Sequence, residues 1–376
     1  MLTNHQIATI LWKTTFVPIQ ILGFTPLIFD ANEKCFRRTK WRTLTTYVFS
    51  IVGVVLPVIT YGKMLNMMFL ESYLSNSLVF CQIASCYLIV ASSYITSVIN
   101  MNEIEHVLNT FVKLYRALVS EPCLLDRRLL KKFLNKVVIV DLIIFTVSYG
   151  TYLPQTSKMQ FLSAVAWFLN VVYTLPLIIV CNIVQALAVL ASTLYWNVNH
   201  RVKKVTERLG QLDKDESYWK RNEKEKMIIC ETLNREINSL CQWHRTINEA
   251  VQRLTDVFAV PIICIMLFQF IISLSEIYYN YGMLMKATHE HQEPNYYQLA
   301  GAMFFVLLCA TQVYYTVAFC AHMTKRAEKT GALLNEFFQS DVDERVELSV
   351  NSSNYYLTFV ITGFLVGPYL VGDSHF

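Results

Sequence analysis

Residues Phe161–Tyr195 read FLSAVAWFLNVVYTLPLIIVCNIVQALAVLASTLY, a run without one Asp, Glu, Lys or Arg. A helix crosses the hydrocarbon core of a bilayer with about 20 apolar residues. This run is longer than that, so its helix is expected to span the membrane and project beyond it. Five further stretches have the same character: Leu44–Tyr61, Leu74–Ile99, Leu134–Leu153, Val257–Tyr281 and Leu299–His322. A seventh, Tyr355–Gly372, is shorter and is interrupted by Gly363, Gly367 and Pro368. The sequence therefore predicts an all-α polytopic membrane protein, a seven-helix bundle whose seventh span is marginal.

Composition agrees. Of 376 residues, 54 % are hydrophobic and only 16 % charged. A soluble domain needs about 25 % charged residues to cover its surface, so an ordinary cytosolic enzyme is excluded. The 23 Phe, 21 Tyr and 6 Trp suit a chain that meets lipid and headgroups. A net charge of +4, mixed in sign, argues for no nucleic-acid partner. The 10 cysteines form no Cys-x-x-Cys pair and lie mostly in apolar runs, where free thiols act as small hydrophobes. The N-terminus lacks the basic start of a signal peptide, and Pro18 and Pro26 interrupt its apolar stretches, which leaves the first span as the insertion signal.

Orientation follows from the Lys and Arg count. The segments before span 1, between spans 2 and 3, between spans 4 and 5 and after span 6 together hold 28 of them. The opposite face has Lys63, Lys158 and Lys286. The positive-inside rule then puts the N-terminus in the cytoplasm. The expected organisation is a cytosolic segment 1–43, spans one to four over 44–195, a cytosolic helical hairpin over 196–256, spans five and six over 257–323, a cytosolic segment 324–354 and an atypical span over 355–376.

The hairpin is read from two heptad seams. Val198, Val202, Val205, Leu209 and Leu212 recur at alternating spacings of four and three, as do Leu233, Ile237, Leu240, His244, Ile247, Val251 and Leu254. The polar stretch Lys214–Ser217 between them reads as a turn, and each seam as the continuation of a membrane helix. The seams pack on each other, or also meet neighbouring subunits. His244 at a seam position is a core histidine first and a pH sensor second. The cluster His289, Glu290, His291 and Glu293 lacks metal-ligand spacing and reads as a solvated loop, so no metal or cofactor is expected.

Within the spans the charges are Lys136, Asp141 and Glu276. Lys136 lies near enough to the end of its span to snorkel. At i, i+5 its pairing with Asp141 is awkward on an α-helix, which leaves Asp141 to helix packing. Glu276 carries a carboxylate at a depth that costs about 2.5–3.5 kcal/mol, so it is expected to face a cavity or a partner.

An inside N-terminus, seven spans and a long helical connection before span 5 together resemble the insect gustatory receptor family, which shares its fold with insect odorant receptors. Leu22-Gly23-Phe24-Thr25-Pro26 is similar to the family's N-terminal Leu-Gly-hydrophobic-x-Pro stretch. Gln242-Trp243-His244-Arg245-Thr246-Ile247-Asn248 is similar to its segment leading into span 5, and Val257-Phe258-Ala259-Val260-Pro261 to the start of that span. The likeness covers about residues 10–349. The family's last helix usually ends with Thr-Tyr, several hydrophobic residues and Gln-Phe, and this chain has nothing matching. From Val350 onward the expectation is a retained intron or an alternative exon, which would give a non-conducting splice product.

The resemblance implies a chemoreceptor that is itself a ligand-gated cation channel, a homo- or hetero-tetramer of related subunits around one pore. It would sit in the plasma membrane, in the dendrites of gustatory sensory neurons, and detect a small-molecule tastant bound in the outer half of each bundle. An odorant-type receptor subunit is the close alternative. By the orientation above, the outer ends of spans 2 to 6 carry Phe80, Gln82, Tyr149, Tyr152, Trp167, Asn170, Tyr173, Gln269, Glu276, Tyr279 and Phe305. Aromatic walls with a few polar groups are what small-molecule sites are made of. A transporter is disfavoured because no inverted repeat or matched pair of broken spans appears. A G-protein-coupled receptor is opposed by the inside N-terminus, and an enzyme by the lack of paired acids, a Ser-His pair or a metal cluster in the spans.

Overall fold

The computed structural model describes residues 16–30, 33–67, 73–118, 126–150, 161–214, 223–291 and 296–338. Among these the chain is almost entirely helical. Two short strands come first, β1 (Leu27–Asp30) and β2 (Cys35–Arg38). The helices follow as α1 (Lys40–Met67), α2 (Tyr73–Ile99), α3 (Met101–Leu118) and α4 (Arg127–Lys136). A π-helical segment (Val137–Ile144) joins α4 to α5 (Phe145–Gly150). Three long helices complete the set: α6 (Phe161–Lys214), α7 (Glu223–Glu290) and α8 (Tyr296–Phe338).

The predicted spans fall on helices. Leu44–Tyr61 lies in α1 and Leu74–Ile99 in α2; Leu134–Leu153 covers the end of α4, the π segment and α5, with 151–153 outside the described residues. Tyr355–Gly372 also lies outside them, as do the metal-like Glu293 and the tail from Val350. Among the described residues α2, α6, α7 and α8 are long and apolar enough to cross a membrane. At 54 and 68 residues, α6 and α7 run on without a break at Tyr195 or Val257, so membrane run and heptad seam share one helix in each case. Each tolerates an internal proline, Pro176 and Pro261.

The strands depart from the all-helical expectation. They pair antiparallel, Leu27 opposite Arg38 and Asp30 opposite Cys35. Leu27 and Phe36 are fully buried; Phe16 stacks on Phe36 at a ring separation of 5.4 Å, and Phe29 meets it tilted at 5.3 Å. Arg38 Nε bonds Glu105 at 2.6 Å, which ties the hairpin to α3. This small aromatic cluster, not the hairpin's few hydrogen bonds, stabilises two strands too short to stand alone.

By its internal contacts the chain divides into two compact units. The first comprises residues 1–105, 127–187 and 257–318. Here Gly23 has φ +67°, the left-handed region that an L side chain adopts only with strain. A Cβ at Gly23 would meet Phe49 at 2.7 Å. The turn it makes delivers Phe24 face to face with Tyr94 at 4.4 Å, while the Tyr94 hydroxyl donates to the Leu22 carbonyl at 2.9 Å. The Leu-Gly-Phe stretch thus anchors the N-terminal segment to α2.

The second unit comprises residues 106–126, 188–256 and 319–376. Its core is the two seams. Val198, Val202 and Val205 of α6 and all seven seam residues of α7 are buried. Val107, Leu108, Phe111, Leu114 and Leu118 of α3 and Phe319, Met323 and Ala327 of α8 are buried with them. The side chains of Leu209 and Leu212 lie outside the described set. The α7 seam is closed by this chain's own helices and keeps little surface for another subunit.

Candidate functional site

The first unit contains a buried polar cluster inside its apolar helices. Lys136 is 0 % exposed, so it does not snorkel as its position near the span end suggested. Its ammonium lies 2.9 Å from Asp141 Oδ1 and 3.0 Å from Oδ2, and donates to Asn182 Oδ1 at 2.5 Å. The i, i+5 pairing that an α-helix disfavours is made here by the π segment. In a π turn each N–H reaches back five residues, so positions five apart stack on one side.

Asp141 is saturated. Besides Lys136 it accepts from Asn182 Nδ2 at 2.7 Å and from Gln312 Nε2 at 2.6 Å. One turn along α6 from Asn182, Gln185 donates to Thr316 at 2.8 Å. Thr316 in turn donates to the Gln312 carbonyl at 2.8 Å. The cluster therefore fastens the π segment to α6 and α8. Desolvating two charges is expensive, and only full hydrogen bonding offsets it. Sequence reasoning found Lys136 and Asp141 but missed Asn182, Gln185, Gln312 and Thr316. Their signal was available: polar pairs three or four apart within apolar runs mark one helix face and bond across to neighbours.

Next to this cluster Gln269 of α7 is 4 % exposed, and neither atom of its amide has a hydrogen-bond partner. It borders a gap of about 10 Å³ lined also by Ile265 and Met266 of α7, Cys181 and Val184 of α6 and Thr316 of α8. That volume holds one water at most. The Oε1 atoms of Gln185 and Gln312 are likewise buried without partners. Glu276 lies two turns further along α7 on the same face as Gln269. It is half-buried, and its backbone carbonyl accepts from Asn280 Nδ2 at 2.7 Å.

The remaining candidates are placed as follows. Tyr279 and Phe305 are half-buried on α7 and α8, Gln82 is half-buried on α2 with its amide nitrogen unpartnered, and Phe80 is largely exposed. Tyr149 falls on α5, and Trp167, Asn170 and Tyr173 on α6, with side chains outside the described set; Tyr152 lies outside the described residues. Among the described candidates Gln269 is the one that lines the gap.

The second unit carries the motif Gln242–Asn248. Trp243 receives the Arg201 guanidinium 5.4 Å above its ring, and Arg201 also donates to the Leu118 carbonyl at 3.0 Å. Tyr195 donates its hydroxyl to Asn248 Oδ1, and Asn248 Nδ2 faces His244 Nδ1 at 3.4 Å. This orients His244 as a neutral acceptor at Nδ1. Burial pushes its pKa down to about 4; the Ala327 backbone offsets this only in part, since Nε2 makes no well-formed hydrogen bond. Arg326 of α8 bonds Asp126 and the Ser192 carbonyl, the latter at 3.1 Å. A groove of about 400 Å³ runs between α3 and α7 past Lys113, Trp243 and Arg253. Among the described residues no group of His, Cys, Asp and Glu could hold a metal ion.

Residues 13–357 match the model of the 7tm chemosensory receptor family. The chain belongs to that family, in keeping with the likeness to insect gustatory and odorant receptors. The match runs past Ser349, where the likeness read from motifs stopped. No curated protein matches significantly.

Proposed function

We propose that this chemoreceptor is a gustatory receptor subunit that forms a ligand-gated cation channel, with seven spans and a cytosolic N-terminus. Four such subunits, identical or related, surround one pore in the plasma membrane of a sensory dendrite. A small-molecule tastant shifts the closed–open equilibrium by binding one state more tightly. The chain needs no catalytic residue for this.

The observation that carries the reading is Gln269. A fully buried amide with both polar atoms unpartnered costs several kcal/mol in roughly the range of 2–7, unless it meets water or a ligand in some state. Glu276 on the same face of α7 supports it, since a second polar group there gives a hydroxyl-rich ligand two points of attachment. The gap of about 10 Å³ is too small for a tastant, so ligand entry requires the surrounding side chains to move.

The test is whole-cell recording from cells expressing the full chain, during application of a tastant panel, with and without G-protein blockade. A ligand-evoked cation current that survives the blockade supports the reading. A response abolished by the blockade overturns it.

A further inference from the structure

Helix α4 reads RRLLKKFLNK and contains no acidic residue. Its two faces are sharply different. Leu129, Leu130 and Phe133 are buried, whereas Arg128, Lys131, Lys132 and Asn135 are exposed on the other side. Lys131 and Lys132 have no ion-pair partner among the described residues. The exposed stripe then continues along the π segment with a change of chemistry: Val138, Ile139, Leu142 and Ile143 are each 50–62 % exposed. Cations give way to branched hydrocarbon between Asn135 and Val138 on one continuous face.

We infer that this stripe binds an acidic phospholipid of the cytoplasmic leaflet, its phosphate at Lys131 and Lys132 and its acyl chains along Val138, Ile139, Leu142 and Ile143. The apolar half, Val138–Ile143, rises at most about 7.5 Å at 1.5 Å per residue, which sets it against the headgroup-proximal half of one leaflet's hydrocarbon, about 15 Å thick. The apolar half needs acyl chains, which a free phosphate or an acidic peptide lacks. The basic half attracts an anion, because Lys131 and Lys132 are exposed and have no acidic partner among the described residues. A lysine near an anionic surface contributes about 1 kcal/mol. The buried polar cluster begins at Lys136 on the opposite side, so a lipid on this face would stiffen the helix that carries it. The inference rests on the proposed topology, in which α4 enters the membrane from the cytoplasm.

The test uses the purified full-length protein in nanodiscs of phosphatidylcholine with a minority of phosphatidylserine, the retained lipids being counted by native mass spectrometry. The unmodified protein should retain phosphatidylserine beyond its share of the bilayer. Each lysine removed, in K131Q and K132Q, should lower that preference roughly five-fold, equivalent to about 1 kcal/mol. K131R/K132R should keep it, as should the remote control R235Q. Equal retention of the two lipids by a well-folded protein overturns the inference. So does displacement of the lipid by soluble glycerophosphoserine, which would define a plain phosphate site. An epitope inserted at Glu121 separates the two readings. Detection only after permeabilisation, with no lipid preference, removes the lipid site alone, whereas detection on intact cells removes the topology beneath it.

Discussion

Lys136 and Asp141, five positions apart, meet at 2.9 Å because the backbone there winds as a π turn. Removing one partner of such a pair leaves the other charged, buried and uncompensated, at a cost of about 3–5 kcal/mol. Lys136→Met and Asp141→Asn should therefore each lower the thermal midpoint in detergent by many degrees. The double variant Lys136→Met/Asp141→Leu should recover much of the loss, although Asn182 and Gln312 then lose an acceptor. Single variants as stable as the parent would show that the pair is not closed in the folded protein.

Gly23 offers a backbone test. Alanine there must adopt φ +67° and bring a Cβ to 2.7 Å from Phe49. Gly23→Ala should cost about 1–3 kcal/mol. Adding Phe49→Ala removes the Cγ and Cδ2 contacts at 2.8 Å but keeps the Phe49 Cβ at 2.7 Å and the dihedral strain, and so should return little of the stability. Thermal unfolding of the three proteins measures this. A Gly23→Ala protein that unfolds at the parental temperature would contradict the described turn.

The His244 pKa lies at about 4, below the ordinary value of 6.5. An unfolded chain thus takes up its proton first as pH falls. The histidine's contribution is intact above pH 6.5 and is lost progressively from there toward pH 4, at up to about 1.4 kcal/mol per pH unit. His244→Gln keeps an acceptor for Asn248 but cannot titrate, so its stability should be flatter across that window. It should match the parent's pH dependence above 7. A parental midpoint that changes with pH between 7 and 8, and does not in His244→Gln, would restore a sensor role.

For ligand detection the informative variants are Gln269→Leu and Glu276→Gln. Leucine fills the amide's volume without its unpaired polar atoms, so Gln269→Leu should be expressed at least as well as the parent while its ligand response weakens ten-fold or more. Glu276→Gln should shift the dose–response curve with near-normal surface expression. Dose–response curves that coincide with the parent's, at equal surface density, would remove both residues from the site.

Topology makes a chemical prediction. Asn351-Ser352-Ser353 is a glycosylation sequon, and in the proposed topology, read from the distribution of basic residues, it lies inside. It should stay unmodified, with no change in mobility after glycosidase treatment. A glycan on Asn351 would invert the C-terminal part of the scheme.

Much of the helical plan was legible because hydrophobic runs and heptads are periodic. The seam from Leu233 to Leu254 could be read position by position, and the structure buries each of its residues. Three features escaped for physical reasons. The strands around Phe29 and Phe36 are four residues each, too short for alternation to register, and depend on Phe16 from outside the pair. The Lys136–Asp141 contact was judged on α-helical spacing, whereas the local winding is π. Asn182, Gln185, Gln312 and Thr316 looked like isolated polar interruptions until the helices brought them together. At the candidate pocket, Gln269 and Glu276 could be chosen as polar residues in an apolar run, but only coordinates tell that the Gln269 amide is unpartnered.

The closed seam has a practical corollary for handling the protein outside its native bilayer. Detergent molecules adsorb on exposed apolar surfaces, such as Val138, Ile139, Leu142 and Ile143. They have no access to Leu240, Ile247 or Val198, whose neighbours are other side chains of the same polypeptide. Solubilisation should therefore be felt first along the exposed π segment, ahead of the buried seam stretches of α6 and α7. A purified sample can then look sound by its helical signal after the surroundings of Lys136 and Asp141 have loosened.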